Sequence, residues 1–197
     1  MSGPVDAPAK RTLTMGGLPG TGTTTACKSL APALGLEYHY AGQIFRDMAA
    51  ARSMTLAQFG ELAEHDASID IEIDRQQVDL LRGKPVLLEG RLAGFLAKRE
   101  GLPAFKVWFH ADPYTRARRV VIREGGTIEA RMAEMREREA SERTRYLQYY
   151  SYDPGDLSLY DLVLDTSKLT RLEVVEAVVA HYFAPPKRRM RWAFWRR

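Results

Sequence analysis

The segment from Gly16 to Thr25 constrains the fold of this chain more than any other part of the sequence. It reads Gly-Gly-Leu-Pro-Gly-Thr-Gly-Thr-Thr-Thr and follows a short apolar run. Glycines let backbone N–H groups converge on an anion without interference from Cβ atoms, and a following helix adds its positive N-terminal dipole. The pattern G-x-x-x-x-G-K-[ST] is met at Gly17, Gly22 and Thr24, but Thr23 stands in the lysine position. We therefore predict a phosphate-binding loop between a strand and a helix.

The residues expected to hold the donor phosphates are Gly17, Leu18, Pro19, Gly20, Thr21, Gly22, Thr23, Thr24 and Thr25. The Thr24 hydroxyl is expected to bind Mg²⁺. The alternative is a tight strand-to-helix turn without a ligand. Because the lysine normally neutralises the β and γ oxygens during transfer, we expect arginines elsewhere to supply that charge.

Short apolar runs alternate with amphipathic segments, which is typical of a parallel sheet covered by helices on both faces. Strands are predicted at about 12–16, 36–40, 85–89, 105–110 and 161–164. Helices are predicted at about 22–34, 41–51, 69–81, 112–125, 127–149 and 170–183, with a further one starting at the capping box of Thr55. The expected fold is α/β, of the P-loop type with five parallel strands. Ligands should bind at the carboxyl ends of these strands.

Length and composition indicate one globular domain over 11–184, with a disordered lead at 1–10. No apolar run of about 18 residues occurs, so no transmembrane helix is expected. The single cysteine, Cys27, excludes an internal disulfide, is interpreted as a packing residue and favours a cytoplasmic setting. The segment 185–197 holds six basic residues, no acid and three aromatic rings. It is interpreted as a disordered tail, a nucleic-acid contact or a membrane-surface anchor.

Six motifs occur in order along the chain: Gly-Thr-Gly-Thr-Thr-Thr at 20–25, Ala-Gly-Gln-Ile-Phe-Arg at 41–46, Ile-Asp-Arg-Gln at 73–76, Leu-Glu-Gly-Arg at 88–91, Arg-Val-Val-Ile-Arg-Glu-Gly at 119–125 and Asp-Leu-Val-Leu-Asp-Thr-Ser at 161–167. Together they make the chain similar to the archaeal-type cytidylate kinases of the P-loop nucleoside monophosphate kinase family, over about 11–183. In that branch, threonine in the P-loop lysine position recurs.

The resemblance implies transfer of the ATP γ-phosphoryl group to CMP or dCMP with Mg²⁺. It implies that Arg46 and Arg91 clamp the acceptor phosphate and that Asp74 with Arg75 faces the acceptor base. The acceptor segment would span about 41–83.

The resemblance also implies that Arg119 and Arg123 begin a mobile lid, at about 115–150, that closes over the donor phosphates. These two arginines lie four residues apart on one predicted helix and share a face. With Arg143 they are our candidates for catalytic residues, and Gly125-Gly126 offers a hinge. The alternative for this arginine- and glutamate-rich segment is a solvated, salt-bridged helix.

The residues themselves support an acceptor site. Arg46 and Arg91 each follow a predicted strand, and the planar guanidinium binds two phosphate oxygens at once; a surface or ion-pair role is the alternative. Glu89 ends an apolar strand, where it could hold a magnesium-bound water or pair with a basic residue. Asp74 could accept a hydrogen bond from a pyrimidine amine, or belong to a cluster of helix-terminal acids.

Two classes of function remain open at this point. The acceptor residues favour a monomeric kinase with ATP and CMP or dCMP as substrates. Adenylate, uridylate, shikimate and dephospho-coenzyme A kinases are the alternatives within that class. Thr23 and the basic tail favour a non-catalytic nucleotide- or RNA-binding protein.

Overall fold

A computed structural model describes residues 10–184 of the chain. The predicted tail at 185–197, with its three interpretations, and nearly all of the predicted lead therefore lie outside the described residues. No helix within 10–184 is long and apolar enough to cross a lipid bilayer.

Five parallel strands form one sheet within the described residues, which confirms the predicted fold class. They are β1 (Thr12–Gly17), β2 (Glu37–Tyr40), β3 (Val86–Glu89), β4 (Ala104–His110) and β5 (Leu162–Asp165). The spatial order is β2-β3-β1-β4-β5. Strand β1 pairs in parallel with β3 on one side and with β4 on the other. The chain therefore winds outward from β1 in both directions, and a cleft opens beyond its carboxyl end.

Helices connect the strands and cover both faces of the sheet. They are α1 (Thr23–Leu34), α2 (Ala41–Ala51), α3 (Leu56–His65), α4 (Ala67–Arg82), α5 (Ala93–Arg99), α6 (Pro113–Glu124), α7 (Ile128–Tyr150) and α8 (Arg171–Phe183), with a 3₁₀ turn at Leu157–Leu159. Helix α5 was not predicted from the sequence. Its seven residues include Ala93, Gly94 and Ala97, which are buried but give no amphipathic stripe.

The local signals at the helix ends are confirmed. Capping boxes begin α3 at Thr55 and α8 at Thr170, each with both reciprocal hydrogen bonds present. The Asp112 carboxylate caps α6 by accepting from the Thr115 N–H at 2.8 Å. Gly125, with φ of 76°, ends that helix. Such ends fix where each helix starts relative to the sheet.

Alternate residues of the strands pack on opposite faces of the sheet. Leu87, Val107 and Leu162 belong to the core beneath α1 and α8, which also contains the fully buried Cys27. Leu88 and Trp108 belong to the core beneath α4 and α5. This period-2 pattern makes each strand apolar on both sides, as expected of a covered parallel sheet.

Two smaller apolar clusters lie outside the sheet layers. One joins α2, α3 and α4 through Met48, Phe59 and Ile73, and so gives the segment 41–82 a core of its own. The other joins α6 to α7 through Val120 and Met135. Both helical units border the cleft at the carboxyl ends of the strands.

Candidate active site

The cleft has a volume of about 1270 Å³ and opens above the ends of β1 and β3. The whole predicted phosphate loop, 17–25, lines it. Six other residues predicted for the site also line it: Arg46, Asp74, Glu89, Arg91, Arg119 and Arg123. The cleft thus collects side chains from α2, α4, the end of β3, α6 and α7 around the glycine-rich loop.

Backbone conformation shapes the phosphate loop. Gly20 and Gly22 have φ of 81° and 91°, in the left-handed region that favours glycine. A Cβ atom at Gly20 would also lie 2.5 Å from the Arg116 carbonyl oxygen. The loop is closed by Thr21, whose N–H and hydroxyl both donate to the Leu18 carbonyl, at 3.2 and 2.8 Å. Gly20 is therefore required both by conformation and by close packing.

Helix α1 begins at this loop with its first N–H groups uncapped by any side chain of the described part of the chain. Helix α2, which begins after Tyr40 in the same cleft, likewise has no side-chain cap there. By contrast, side-chain oxygens cap five other helices; these caps are Thr55, Asp66, Asp112, Thr127 and Thr170. Uncapped N–H groups and the helix dipole together form an anion site. Two such helix ends therefore open on one cleft.

Oxygen atoms suited to a magnesium ion meet beside α1. The Thr24 hydroxyl donates to Glu89 Oε1 at 2.6 Å, and the Tyr38 hydroxyl donates to Glu89 Oε2. Glu89 is buried at the end of β3. Burial and the Glu89 carboxylate together raise the pKa of the Tyr38 hydroxyl, which stays a donor. A hydroxyl beside a carboxylate matches the hard-oxygen preference of Mg²⁺, so the predicted pair Thr24 and Glu89 fits this ion.

The two predicted clamp arginines occupy different surroundings. The Arg46 guanidinium lies 5.1 Å from the centre of the Tyr40 ring and bonds to Gln43 Oε1 at 3.2 Å. The Arg91 side chain is 15% exposed and pairs with the carboxylate of Glu142 on α7. Burial, with the nearby charge of Arg138, lowers the pKa of Arg91 to about 10. Arg91 is therefore still cationic at neutral pH.

Asp74 lies on the inner face of α4 and is only 5% exposed. One of its oxygens accepts from the Gln77 amide at 3.2 Å. Burial raises the pKa of Asp74 to about 6, the Tyr150 hydroxyl opposes this shift and the charge of Asp70 adds to it. A buried acid in a cleft with such a shift is a common mark of a functional group.

Arg75 and Arg143 were predicted for the site, but the structure brings neither to the cleft. Arg75 follows Asp74 on a helix, so it points about 100° away and pairs with Glu72 at 2.9 Å. Arg143 pairs with Asp153 at 2.7 Å. Their side chains are 66% and 60% exposed. Both are therefore left out of the proposed site.

The two lid arginines of α6 differ in their contacts. Arg119 donates to the Gly20 carbonyl at 3.2 Å and to the Thr166 carbonyl at 2.7 Å. It thereby ties the phosphate loop to the segment after β5. Arg123 lies one turn further on, at the edge of the cleft, where it pairs with Glu124 at 2.5 Å and is largely exposed. Arg119 is thus fixed against the loop, and Arg123 lies free of it.

Several residues in the cleft or next to it were missed by the sequence interpretation. Arg116 is buried beneath the loop and pairs with Glu139 at 2.6 Å. Arg145 pairs with Asp70 at 2.9 Å, and Glu142 pairs with Arg91. Helical spacing could have revealed Arg116, which shares a face with the buried Val120. Glu142 and Arg145 gave no such signal, because charges are frequent all along α7.

The chain is similar to known proteins over most of its length. The model of the "Cytidylate kinase-like family" matches residues 12–168. A cytidylate kinase of Methanopyrus kandleri is 46% identical over 175 residues, which cover 85% of this chain and 91% of that protein. A cytidylate kinase of Pyrococcus furiosus is 44% identical over 172 residues, covering 86% and 88%.

Solved structures share the fold at low sequence identity. A shikimate kinase from Bacteroides thetaiotaomicron superposes with a TM-score of 0.59 at 14% identity, over 87% of this chain and 96% of that one. A gluconokinase from Sinorhizobium meliloti gives 0.57 at 13% identity, over 88% and 91%. These likenesses support the P-loop kinase fold alone.

Proposed function

The chain belongs to the cytidylate kinase-like family, as the sequence motifs predicted, and we propose that it transfers the γ-phosphoryl group of ATP to CMP or dCMP. The observation that carries this proposal is the composition of the cleft. Its lining includes both the phosphate loop at 17–25 and a separate set of acceptor groups, Arg46, Asp74 and Arg91. A protein that only bound ATP would have no use for the second set.

The donor end holds phosphate mainly through the backbone. The uncapped N–H groups at the start of α1 would bind the β and γ oxygens of ATP, aided by the helix dipole. Thr24 and Glu89 would hold Mg²⁺, which supplies positive charge against the phosphate oxygens. This arrangement positions the donor without the usual lysine.

Arginines of α6 would replace the charge of that lysine. Arg119 donates to the Gly20 carbonyl of the loop and to the Thr166 carbonyl after β5. These hydrogen bonds would keep the N–H groups of the loop oriented toward the phosphates. Arg123 projects from the next turn of α6, and within residues 10–184 its ion-pair partner is its exposed neighbour Glu124. Closure of α6 and α7 would bring Arg123 toward the transferring phosphoryl group, where a guanidinium stabilises developing charge.

The acceptor end would recognise both the phosphate and the base of CMP. Arg46 and Arg91 would bind the phosphate, with the N-terminus of α2 beside them. An ionised Asp74 would accept from the 4-amino group of cytosine. Uracil presents a carbonyl oxygen at that place, which a carboxylate repels. We therefore propose the order CMP and dCMP first, with UMP much weaker.

A coupled assay of ADP release over CMP, dCMP, UMP, AMP and shikimate tests this proposal. We expect turnover with CMP and dCMP, dependent on ATP and Mg²⁺, and a much lower rate with UMP. Absence of turnover with every acceptor would refute the kinase proposal. A preference for AMP would refute the role given to Asp74.

A further inference from the structure

Glu142 is an unusual residue for the middle of a charged helix. It is only 8% exposed and points inward from α7 to the acceptor end of the cleft. One carboxylate oxygen pairs with the half-buried Arg91, and the other accepts from Arg138 Nε at 3.0 Å. A carboxylate of the protein therefore lies between two guanidinium groups, one of which is proposed above to bind the acceptor phosphate.

A phosphate dianion would compete with this carboxylate. Two anions held against one guanidinium in a partly buried site repel each other, and the repulsion is stronger there than in water. The Arg91 side chain is 15% exposed, and Nη1, the nitrogen that pairs with Glu142, is itself buried. The phosphate can bind Arg91 fully only if the carboxylate of Glu142 moves away.

We propose that Glu142 is a built-in competitor of the acceptor phosphate, which holds Arg91 in the acceptor-free enzyme and is displaced when CMP binds. This inference rests on the proposed function, because it assigns Arg91 to the acceptor phosphate. Glu142 acts through Arg91, so it is a positioning residue. Its displacement removes a contact between the inner face of α7 and the end of β3.

Neighbouring ion pairs explain why this displacement would matter for the lid. On α7, Glu139 pairs with Arg116 below the phosphate loop at 2.6 Å, and Arg145 pairs with Asp70 of α4 at 2.9 Å. These residues lie three positions before and three positions after Glu142, along one side of the helix. Removing the central contact takes away one of three ion pairs that join this side of α7 to its neighbours, while its apolar contacts with α6 remain. Acceptor binding would thus favour movement of the lid formed by α6 and α7. Closure over ATP would then depend on the presence of an acceptor.

Binding of CMP and of cytidine to the Glu142→Gln variant tests the proposal. Glutamine keeps the size of the side chain but removes the competing charge. We expect CMP to bind Glu142→Gln about tenfold more tightly than it binds the wild type. This change corresponds to the loss of an opposing interaction of about 1.4 kcal/mol. Cytidine lacks the phosphate, so its affinity should stay within about twofold of the wild-type value.

The variant Asp153→Asn is the matched control. It removes the partner of Arg143, also on α7, but this pair lies outside the cleft. CMP and cytidine should bind this variant as they bind the wild type. A gain in affinity for CMP in this control would show that any loosening of α7 suffices, and would overturn the specific role of Glu142.

The remaining outcomes separate the two proposals. If Glu142→Gln leaves CMP affinity unchanged, or weakens CMP and cytidine together, Glu142 is a structural residue and the inference is wrong. If wild-type protein binds no CMP, the proposed function itself fails. Glu142→Asp keeps the charge on a shorter side chain. It is the second test variant, to be used if Glu142→Gln does not fold. It should tighten CMP by a smaller factor, and equal or weaker binding than the wild type would contradict the proposal.

Discussion

The two ends of the cleft are built in different ways. The donor end is formed by nine consecutive residues, 17–25, and depends on backbone conformation and on the start of α1. The acceptor end is assembled from side chains of α2, α4, β3 and α7, many of them joined by ion pairs between elements. Local sequence therefore specifies the first end, whereas the second exists only after the chain has folded.

Glycine substitutions in the phosphate loop should give the largest effect. Gly20→Ala introduces a Cβ atom 2.5 Å from a backbone oxygen, so the loop must shift, and we expect kcat/KM for ATP to fall about thousandfold. A Cβ atom at Gly22 would meet nothing within 4 Å, so Gly22→Ala carries only the strain of the positive φ, about 1 kcal/mol. Steady-state kinetics with ATP varied would measure both. Equal losses in the two variants would contradict a donor end that depends on close packing at Gly20.

The free energy of unfolding should depend on pH through Asp74, the buried acid of the acceptor end. Burial raises the pKa of Asp74 from 3.8 to about 6, so the folded state binds its proton more tightly than the unfolded state does. The resulting stabilisation is fully present below pH 3.8 and is lost as pH rises through 6. We expect the free energy of unfolding of the wild type, relative to Asp74→Asn, to fall by up to about 3 kcal/mol over that range. If the free energies of unfolding of the two proteins instead changed in parallel with pH, Asp74 would be in a solvated environment and the prediction would be wrong.

The half-buried pair between Arg145 and Asp70 should contribute less. It joins α7 to α4 across the acceptor end, at 2.9 Å. In a double-mutant cycle with Arg145→Gln and Asp70→Asn, we expect a coupling energy of about 1 kcal/mol in urea unfolding. Additive effects of the two substitutions would show that α7 is not held to α4 by this contact.

Arg143→Ala should have the smallest effect. Its partner Asp153 is at the surface, and neither residue lines the cleft. We expect a change in stability below about 0.5 kcal/mol and turnover within about twofold of the wild type. A fall in kcat of tenfold or more would restore the catalytic role that the sequence suggested for Arg143.

The sequence predicted the fold well because its signals are local. The five strands, the capping boxes at Thr55 and Thr170, and the glycine end of α6 all follow from short-range patterns. The predicted phosphate loop, 17–25, is also a local pattern, and all of it lines the cleft. Helix α5 was missed because seven residues rich in alanine and glycine show neither helical periodicity nor a cap.

The acceptor end was predicted only in part, because its partners are distant in the sequence. Arg46, Asp74 and Arg91 lie in the recognised motifs and line the cleft, and their roles toward the acceptor stay predictions. Arg75 was placed wrongly beside Asp74, since neighbours in a helix do not share a face. The pairing of Glu142 with Arg91 joins residues 51 positions apart and could not be read from a helix rich in both charges.

Crossed measurements of KM in one variant from each end test the central claim most directly. The claim is that one cleft holds ATP at the phosphate loop and the acceptor phosphate at Arg46 and Arg91. Arg46→Ala should raise KM for CMP about tenfold and leave KM for ATP within about twofold, whereas Gly22→Ala should raise KM for ATP and leave KM for CMP within about twofold. If Arg46→Ala instead raises KM for ATP, the assignment of the two ends is contradicted.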